Sequence, residues 1–177
     1  MSLEGWLQGR LLARRIVLVS RRLDDDAAAS AVAALLTLEA GGDQPIELHL
    51  SSADGGLGAV LALIDAADGL RSALRVVCRG RVGGPAVGVL AAADHCAAGR
   101  HTRFHLSQPT ARFAGGPDEI AAYSRRQQDD LWTLYSRLAR RTGRPAEEIA
   151  EDMRRGRVLD AAEAVRYGLI DEIIAAG

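Results

Sequence analysis

Several residue types are scarce or missing in this sequence, and each shortage excludes a class of protein. Only Cys78 and Cys96 occur among 177 residues, with no CxxC pair and no histidines at zinc-finger spacing, so neither a disulfide framework nor a metal site is indicated. Lysine is absent, and the 22 basic residues, all arginine, are spread through a chain of net charge −1. This balance argues against nucleic acid or an anionic membrane as a partner, and no cofactor is implied.

Long apolar runs are also missing. No stretch approaches the ~18 apolar residues of a membrane span, and the segment MSLEGWLQGRLLARR lacks the apolar core and cleavage site of a signal peptide. We therefore expect a soluble, cytoplasmic protein. Because 48% of the residues are hydrophobic, we also expect a single domain over residues 1–177.

What is present is an alternation of short apolar runs with helical patterns. The runs predict strands at Arg15–Ser20, Ile46–Ser51, Leu74–Cys78, Arg103–Ser107 and Leu169–Ile174. Helices are predicted at Asp24–Ala40, Gly56–Leu70 and Pro85–Asp94. Such an order is typical of parallel strands joined by crossover helices, so the fold class is α/β.

A long helix follows. Pro117 suits a first helical position, acidic residues occupy the first turn, and the pattern continues to Arg141 before Thr142-Gly143. Its apolar residues form only a partial stripe, which fits either core packing or a projecting helix that meets another subunit. A further helix follows Pro145, and a short one is predicted from Asp160 to Gly168.

Several strings, in this order, resemble the proteolytic subunit of the Clp protease, a member of the crotonase-like group. RLLARRIVLVSRRLDDDAAASAVAALLTLEA is similar to that family's first strand and helix, SSADGGLGAVLALID to its glycine loop region, and VLDAAEAVRYGLIDEII to its C-terminal segment. With GRVGGPAVGVLAAA and Gln108-Pro109, the resemblance covers roughly residues 10 to 175. It implies Clp/crotonase-like repeated β-α-β units with a protruding handle helix, the handle region being about residues 110–142.

In that family a serine, a histidine and an aspartate act together in peptide hydrolysis. The resemblance places these three positions on Gly84, Ser107 and Gly156. Glycine has no nucleophilic side chain, and a serine hydroxyl is not a base near neutral pH. We therefore expect no catalytic residue here and a pseudo-peptidase that is not an enzyme.

The family's oxyanion hole is altered at both positions that the resemblance implies. Pro85 follows the nucleophile's position and has no N–H to donate. Asp54 takes the place of the first glycine of the Gly-Gly loop, where its carboxylate would repel a developing negative charge.

The resemblance also bears on partners. Positions that line the family's aromatic ATPase-docking pocket fall on Glu47, His49 and Gly69, so docking by the usual mode is doubtful. Positions linked to oligomerisation, in contrast, match the family's spacing: Phe113, Gly115, Gly116 and Arg155. The expected role is a structural or regulatory ring subunit, in a homo-oligomer or with active Clp proteolytic paralogues in ATP-dependent proteolysis.

Three alternatives stay open. His105 and Ser107 lie on the same face of a predicted strand and could form a relocated catalytic pair, although two polar residues lining an emptied cleft explain them more simply. Crotonase-like chemistry on acyl thioesters is a second alternative. A third is a stand-alone module that binds extended peptides along Phe113–Gly116 by strand addition.

Overall fold

The computed structural model describes residues 3–110 and 113–175. Its elements in chain order are α1 (Leu3–Leu12), β1 (Ile16–Val19), α2 (Asp25–Ala40), β2 (Ile46–Leu50), α3 (Leu57–Asp68), β3 (Leu74–Cys78), β4 (Arg81–Gly83), a 3₁₀ helix (Gly84–Ala92), β5 (His95–Gly99), β6 (Arg103–Leu106), α4 (Pro117–Thr142), α5 (Ala146–Arg155), β7 (Arg157–Asp160), α6 (Ala161–Tyr167) and β8 (Glu172–Ile174). This alternation confirms the predicted α/β class. Residues 111 and 112 of the predicted handle region lie outside the described residues.

Five parallel strands form the large sheet, in the order β1-β2-β3-β5-β8. The helices α2 and α3 return the chain to the end of the sheet at which the next strand begins, as parallel pairing requires. Local signals set the helix starts: the Asp24 carboxylate, for example, accepts the Ala27 N–H at the start of α2 at 2.9 Å.

A small sheet of three strands, in the order β4-β6-β7, lies beside the large one. β4 pairs with β6 in parallel, and β6 pairs with β7 in the antiparallel sense. The sequence did not predict β4 or β7, because each is only three or four residues long and adjoins a glycine.

Two further features differ from the expected elements. The strand β5, which begins at His95, was not predicted, and it pairs in parallel with β3. Ser107 was expected within a strand, but β6 ends at Leu106, so Ser107 does not follow the alternation of that strand.

The core fills the space between the sheets and the helices. Gly88 of the 3₁₀ helix lies against Leu134 of α4 so closely that an added Cβ would clash, which explains a glycine at this crossing. Cys78 and Cys96 are free and buried here. Burial raises the pKa of Cys96 to about 12, so this thiol stays protonated.

The long helix α4 has 26 residues and packs on the body only through its second half. Leu134, Tyr135 and Leu138 are its buried residues, whereas residues 117–133 contain none. None of the described helices combines the length and apolarity that a membrane span needs.

Candidate functional site

The turn from β4 into the 3₁₀ helix lies at the centre of the candidate site. Gly84 has a φ of +55°, a left-handed conformation that glycine adopts without strain. The Gly83 N–H donates to the Ser52 carbonyl at 2.9 Å, which ties the turn to the loop after β2. Pro85 follows in the first turn of the 3₁₀ helix, so position 85 offers no N–H.

The loop after β2 places a carboxylate at this turn. The buried Ser52 hydroxyl donates to the Asp54 carbonyl at 2.6 Å and accepts the Leu23 N–H at 3.0 Å, which fixes the loop. A Cβ added to Gly84 would collide with the Asp54 carboxylate. The structure therefore brings together the predicted positions 54, 84 and 85, and Asp54 fills the space beside Gly84.

β6 supplies the imidazole nearest to this turn. His105 pairs in register with Gly83, and its Nε2 lies 3.3 Å from the position of a Cβ added to Gly156. His105 therefore lies between the turn and Gly156. No side-chain hydrogen bond joins His105 to Ser107 within the described ranges, so the relocated pair is not formed here.

A buried polar cluster behind Gly156 escaped sequence reasoning. The Tyr167 hydroxyl donates to Asp152 Oδ2 at 2.7 Å, and Arg157 Nη1 donates to the same oxygen at 3.1 Å. Burial, and then the hydrogen bond to Asp152, raise the pKa of Tyr167 well above its ordinary value. One sequence signal could have indicated this cluster. Asp152 has the helical spacing of the apolar residues Ile149 and Met153, which places its carboxylate on the buried face of α5.

An open cleft of about 470 Å³ lies in front of these residues. Its lining residues are Ala53, Arg81, Val82, Gly83, Arg103, His105 and Val158. Two of these lining residues adjoin predicted positions. Gly83 directly precedes Gly84, the predicted serine position, and His105 lies beside Gly156, the predicted aspartate position.

Two of the three residues predicted at the ATPase-docking pocket, Glu47 and His49, lie on β2 of the large sheet. They belong to a surface that we call the charged face. Its residues are Glu47, His49, Arg75, His95, Arg141, Asp171 and Glu172. Glu47 pairs with His49, and Arg75 bridges Glu47 at 3.4 Å and Glu172 at 3.0 Å. Gly69 is separate from these pairs and caps the end of α3.

The charged face continues across β5 and β8. His95 Nε2 lies 3.0 Å from Glu172, and this hydrogen bond is the main cause of the lowered pKa of the Glu172 carboxyl. Burial opposes ionisation of Asp171, but the Cys96 N–H and Arg141 outweigh it and lower the pKa of that carboxyl. The surface is therefore a connected set of ion pairs and hydrogen bonds that includes no Phe, Tyr or Trp side chain.

The predicted oligomerisation residues lie at the start of α4 and at the end of α5. Phe113 stacks on Tyr123 with ring centroids 4.5 Å apart, and the Gly116 N–H donates to Glu119 at 2.9 Å. A Cβ on Gly115 would come within 2.9 Å of the same carboxylate. Arg155 pairs with Glu151.

Across the described part of the chain, no cluster of three or more His, Cys, Asp or Glu side chains could hold a metal ion.

Comparison with known proteins decides the family. The sequence profile of the family described as Clp protease matches residues 5–177. The chain belongs to the Clp protease family. It is similar to a protein named ATP-dependent Clp protease proteolytic subunit 4 from Rhodococcus jostii (strain RHA1), with 33% identity over 174 residues that cover 94% of this chain and 88% of that protein. Both matches confirm the resemblance read from the sequence.

The same matches contradict the prediction that the chain is a pseudo-peptidase and not an enzyme. The Clp protease family and a relative named as a proteolytic subunit both point to a protease. Inactivity was inferred only from the side chains at single aligned positions such as Gly84, and no measurement supports it. The assignment of Gly84, Ser107 and Gly156 to triad positions stays a prediction.

Proposed function

We propose that this Clp protease family chain works as a subunit of a ring-shaped proteolytic particle and takes part there in ATP-dependent proteolysis. The ring contains copies of the chain or proteolytic paralogues beside it. Peptide-bond hydrolysis is assigned to the assembled particle. The observation that carries the proposal is the unburied first half of α4.

A helix segment with little packing on its own chain needs another source of stability. Residues 117–133 would extend about 25 Å at the helical rise, and none of them is buried. Ile120 and Trp132 in this segment have exposed fractions of 46% and 49%. Since helix stability in proteins comes mainly from packing of an apolar face, this segment is the part of the chain best suited to contact another subunit.

The charged face bears on how an ATPase would reach such a ring. Family docking pockets hold aromatic residues, whereas Glu47, His49 and Arg75 here are engaged in ion pairs. An apolar anchor would have to break these pairs and would bury little apolar area in return. We infer that any ATPase bound to this face makes polar contacts. The cytoplasmic location stays a prediction.

The proposal is tested by the mass of the native particle. Native mass spectrometry of the purified chain, alone and after co-expression with proteolytic paralogues of the same source, should show a multi-subunit ring. A double substitution of Ile120 and Trp132 to serine should dissociate that ring. Val165→Ser, which changes another exposed apolar residue on α6, should leave it intact.

Peptidase activity of the same particle is the second measurement. We expect cleavage of a fluorogenic peptide by the intact ring and loss of cleavage on dissociation. A chain that stays monomeric under both expression conditions would contradict the proposal and favour the stand-alone peptide-binding module.

A further inference from the structure

The cleft on the small sheet carries three cationic or potentially cationic side chains on one face. Arg81 of β4 lies opposite Arg103 of β6 in the parallel register, and His105 follows Arg103 on the same side of β6. All three are exposed, while Val82 and Phe104 between them point into the core. Adjacent strands are about 4.8 Å apart, so the two guanidinium groups can reach one ligand.

These three side chains have no hydrogen-bond or ion-pair partner among the residues that the structure describes. Two neighbouring carboxylates accept other donors: Asp54 pairs with Arg22 at 3.2 Å, and Asp160, opposite Arg103 on β7, accepts the Glu163 N–H at the start of α6 at 2.8 Å. The residues that line the cleft therefore include two arginines and a histidine but no acidic side chain.

The shape of the cleft fits an extended small ligand. Gly83 has no side chain, Ala53 has a short one, and Val158 adds an apolar wall. A volume of about 470 Å³ lies within the range of sites for drug-sized ligands. A guanidinium presents parallel N–H donors that match the two oxygens of a carboxylate, which makes arginine pairs selective for such groups.

We propose that Arg81 and Arg103, with His105 beside them, bind the C-terminal carboxylate of a short peptide in this cleft. The inference rests on the proposed function, because proteolysis releases peptides that end in a free carboxylate. Small inorganic oxyanions share this chemistry, but they would leave the rest of the cleft unfilled.

The test compares two forms of one probe. A tetra-alanine peptide with an N-terminal fluorophore is titrated by fluorescence polarisation at low salt, once with a free C-terminal carboxylate and once as the amide. We expect the amide to bind at least about tenfold more weakly, because charged hydrogen bonds are the strong ones. Arg103→Gln should weaken binding of the acid by about tenfold and leave binding of the amide unchanged.

Matched controls separate this site from general electrostatics. Arg166→Gln removes an exposed arginine of α6 outside the cleft and should change nothing beyond twofold. Equal affinity of acid and amide, or equal effects of the two substitutions, would overturn the proposal. Displacement of the acid by equimolar inorganic phosphate would also overturn it, since the cleft would then be a general oxyanion site.

Failure of this inference can be told apart from failure of the proposed function. Native mass spectra of the same samples report the ring independently of binding. A ring that does not distinguish acid from amide contradicts the carboxylate site alone. A monomer that prefers the acid contradicts the ring alone.

Discussion

The charged face of the large sheet and the cleft on the small sheet both display arginine and histidine, but only the charged face pairs them. There Arg75 contacts Glu47 and Glu172, and His95 contacts Glu172. In the cleft, Arg81 and Arg103 face solvent without acidic partners among the described residues. The charges of the charged face therefore contact one another within the fold, whereas the arginines of the cleft are available to bind a ligand.

If paired charges serve the fold and unpaired ones serve binding, substitutions should separate the two groups by their effect on stability. The small sheet provides an internal reference, because Arg157 of β7 is paired with Asp152 while Arg103 of the neighbouring β6 is not.

The largest effect is expected at the buried cluster behind the cleft. Asp152→Ala removes the acceptor of the buried Tyr167 hydroxyl and of Arg157. Leaving the buried Tyr167 hydroxyl without a partner should lower the free energy of unfolding by about 1–3 kcal/mol. Arg157 adds little to this loss, because its exposed side chain can be solvated instead. Urea denaturation monitored by circular dichroism measures this loss.

A neighbouring acid on the same helix serves as control. Glu151 pairs only with the exposed Arg154 and Arg155, so Glu151→Ala should cost less than about 0.5 kcal/mol. Equal losses for Asp152→Ala and Glu151→Ala would mean that the cluster does not stabilise the small sheet, and the reference for the comparison would be lost.

The next effect compares the two surfaces directly. Arg75→Gln removes the bridge between Glu47 and Glu172 and should lower the free energy of unfolding by up to about 1 kcal/mol, less at high salt. Arg103→Gln removes no contact in the described part of the chain, so it should stay within about 0.5 kcal/mol of wild type. A larger loss for Arg103→Gln than for Arg75→Gln would invert the proposed division.

Much of the fold could be predicted from the sequence. β2 and β3 are apolar runs next to helices with clear ends, and local chemistry determines both. β5 was missed because HCAAG is rich in small residues that favour no strand by themselves, and its pairing with β3 supplies what the propensity lacks. β4 and β7 were missed because segments of three or four residues are too short to show the alternation of apolar and polar residues that is typical of a strand.

The site was predictable only in part, for a similar reason. The resemblance indicated positions 54, 84 and 156. In the fold Asp54 lies against Gly84, and His105, which lines the cleft, lies beside Gly156. The proximity of His105 to Gly156 depends on the register of β6 against β4, which the sequence does not encode locally. The charged face likewise joins β2 to β8 through residues far apart in the chain.

The smallest effect is a dependence of stability on acid pH that originates in the charged face. The hydrogen bond from His95 lowers the pKa of Glu172 in the folded state, so this carboxylate stabilises the fold above its unfolded pKa of about 4.3. That contribution is lost as the pH falls through the lower, folded pKa. Because Glu172 is exposed, we expect a change of only about a degree in Tm.

Thermal melts between pH 7 and pH 3 measure this dependence. The melting temperature of Glu172→Gln should start slightly below that of wild type at pH 7 and converge with it toward pH 3. Asp130→Asn changes an exposed acid in the middle of α4, away from the helix ends, and should stay parallel to wild type. Curves of Glu172→Gln and wild type that remain a constant distance apart would show that ionisation of Glu172 is not coupled to folding. The paired character of the charged face would then rest on the pairs of Glu47 and Asp171.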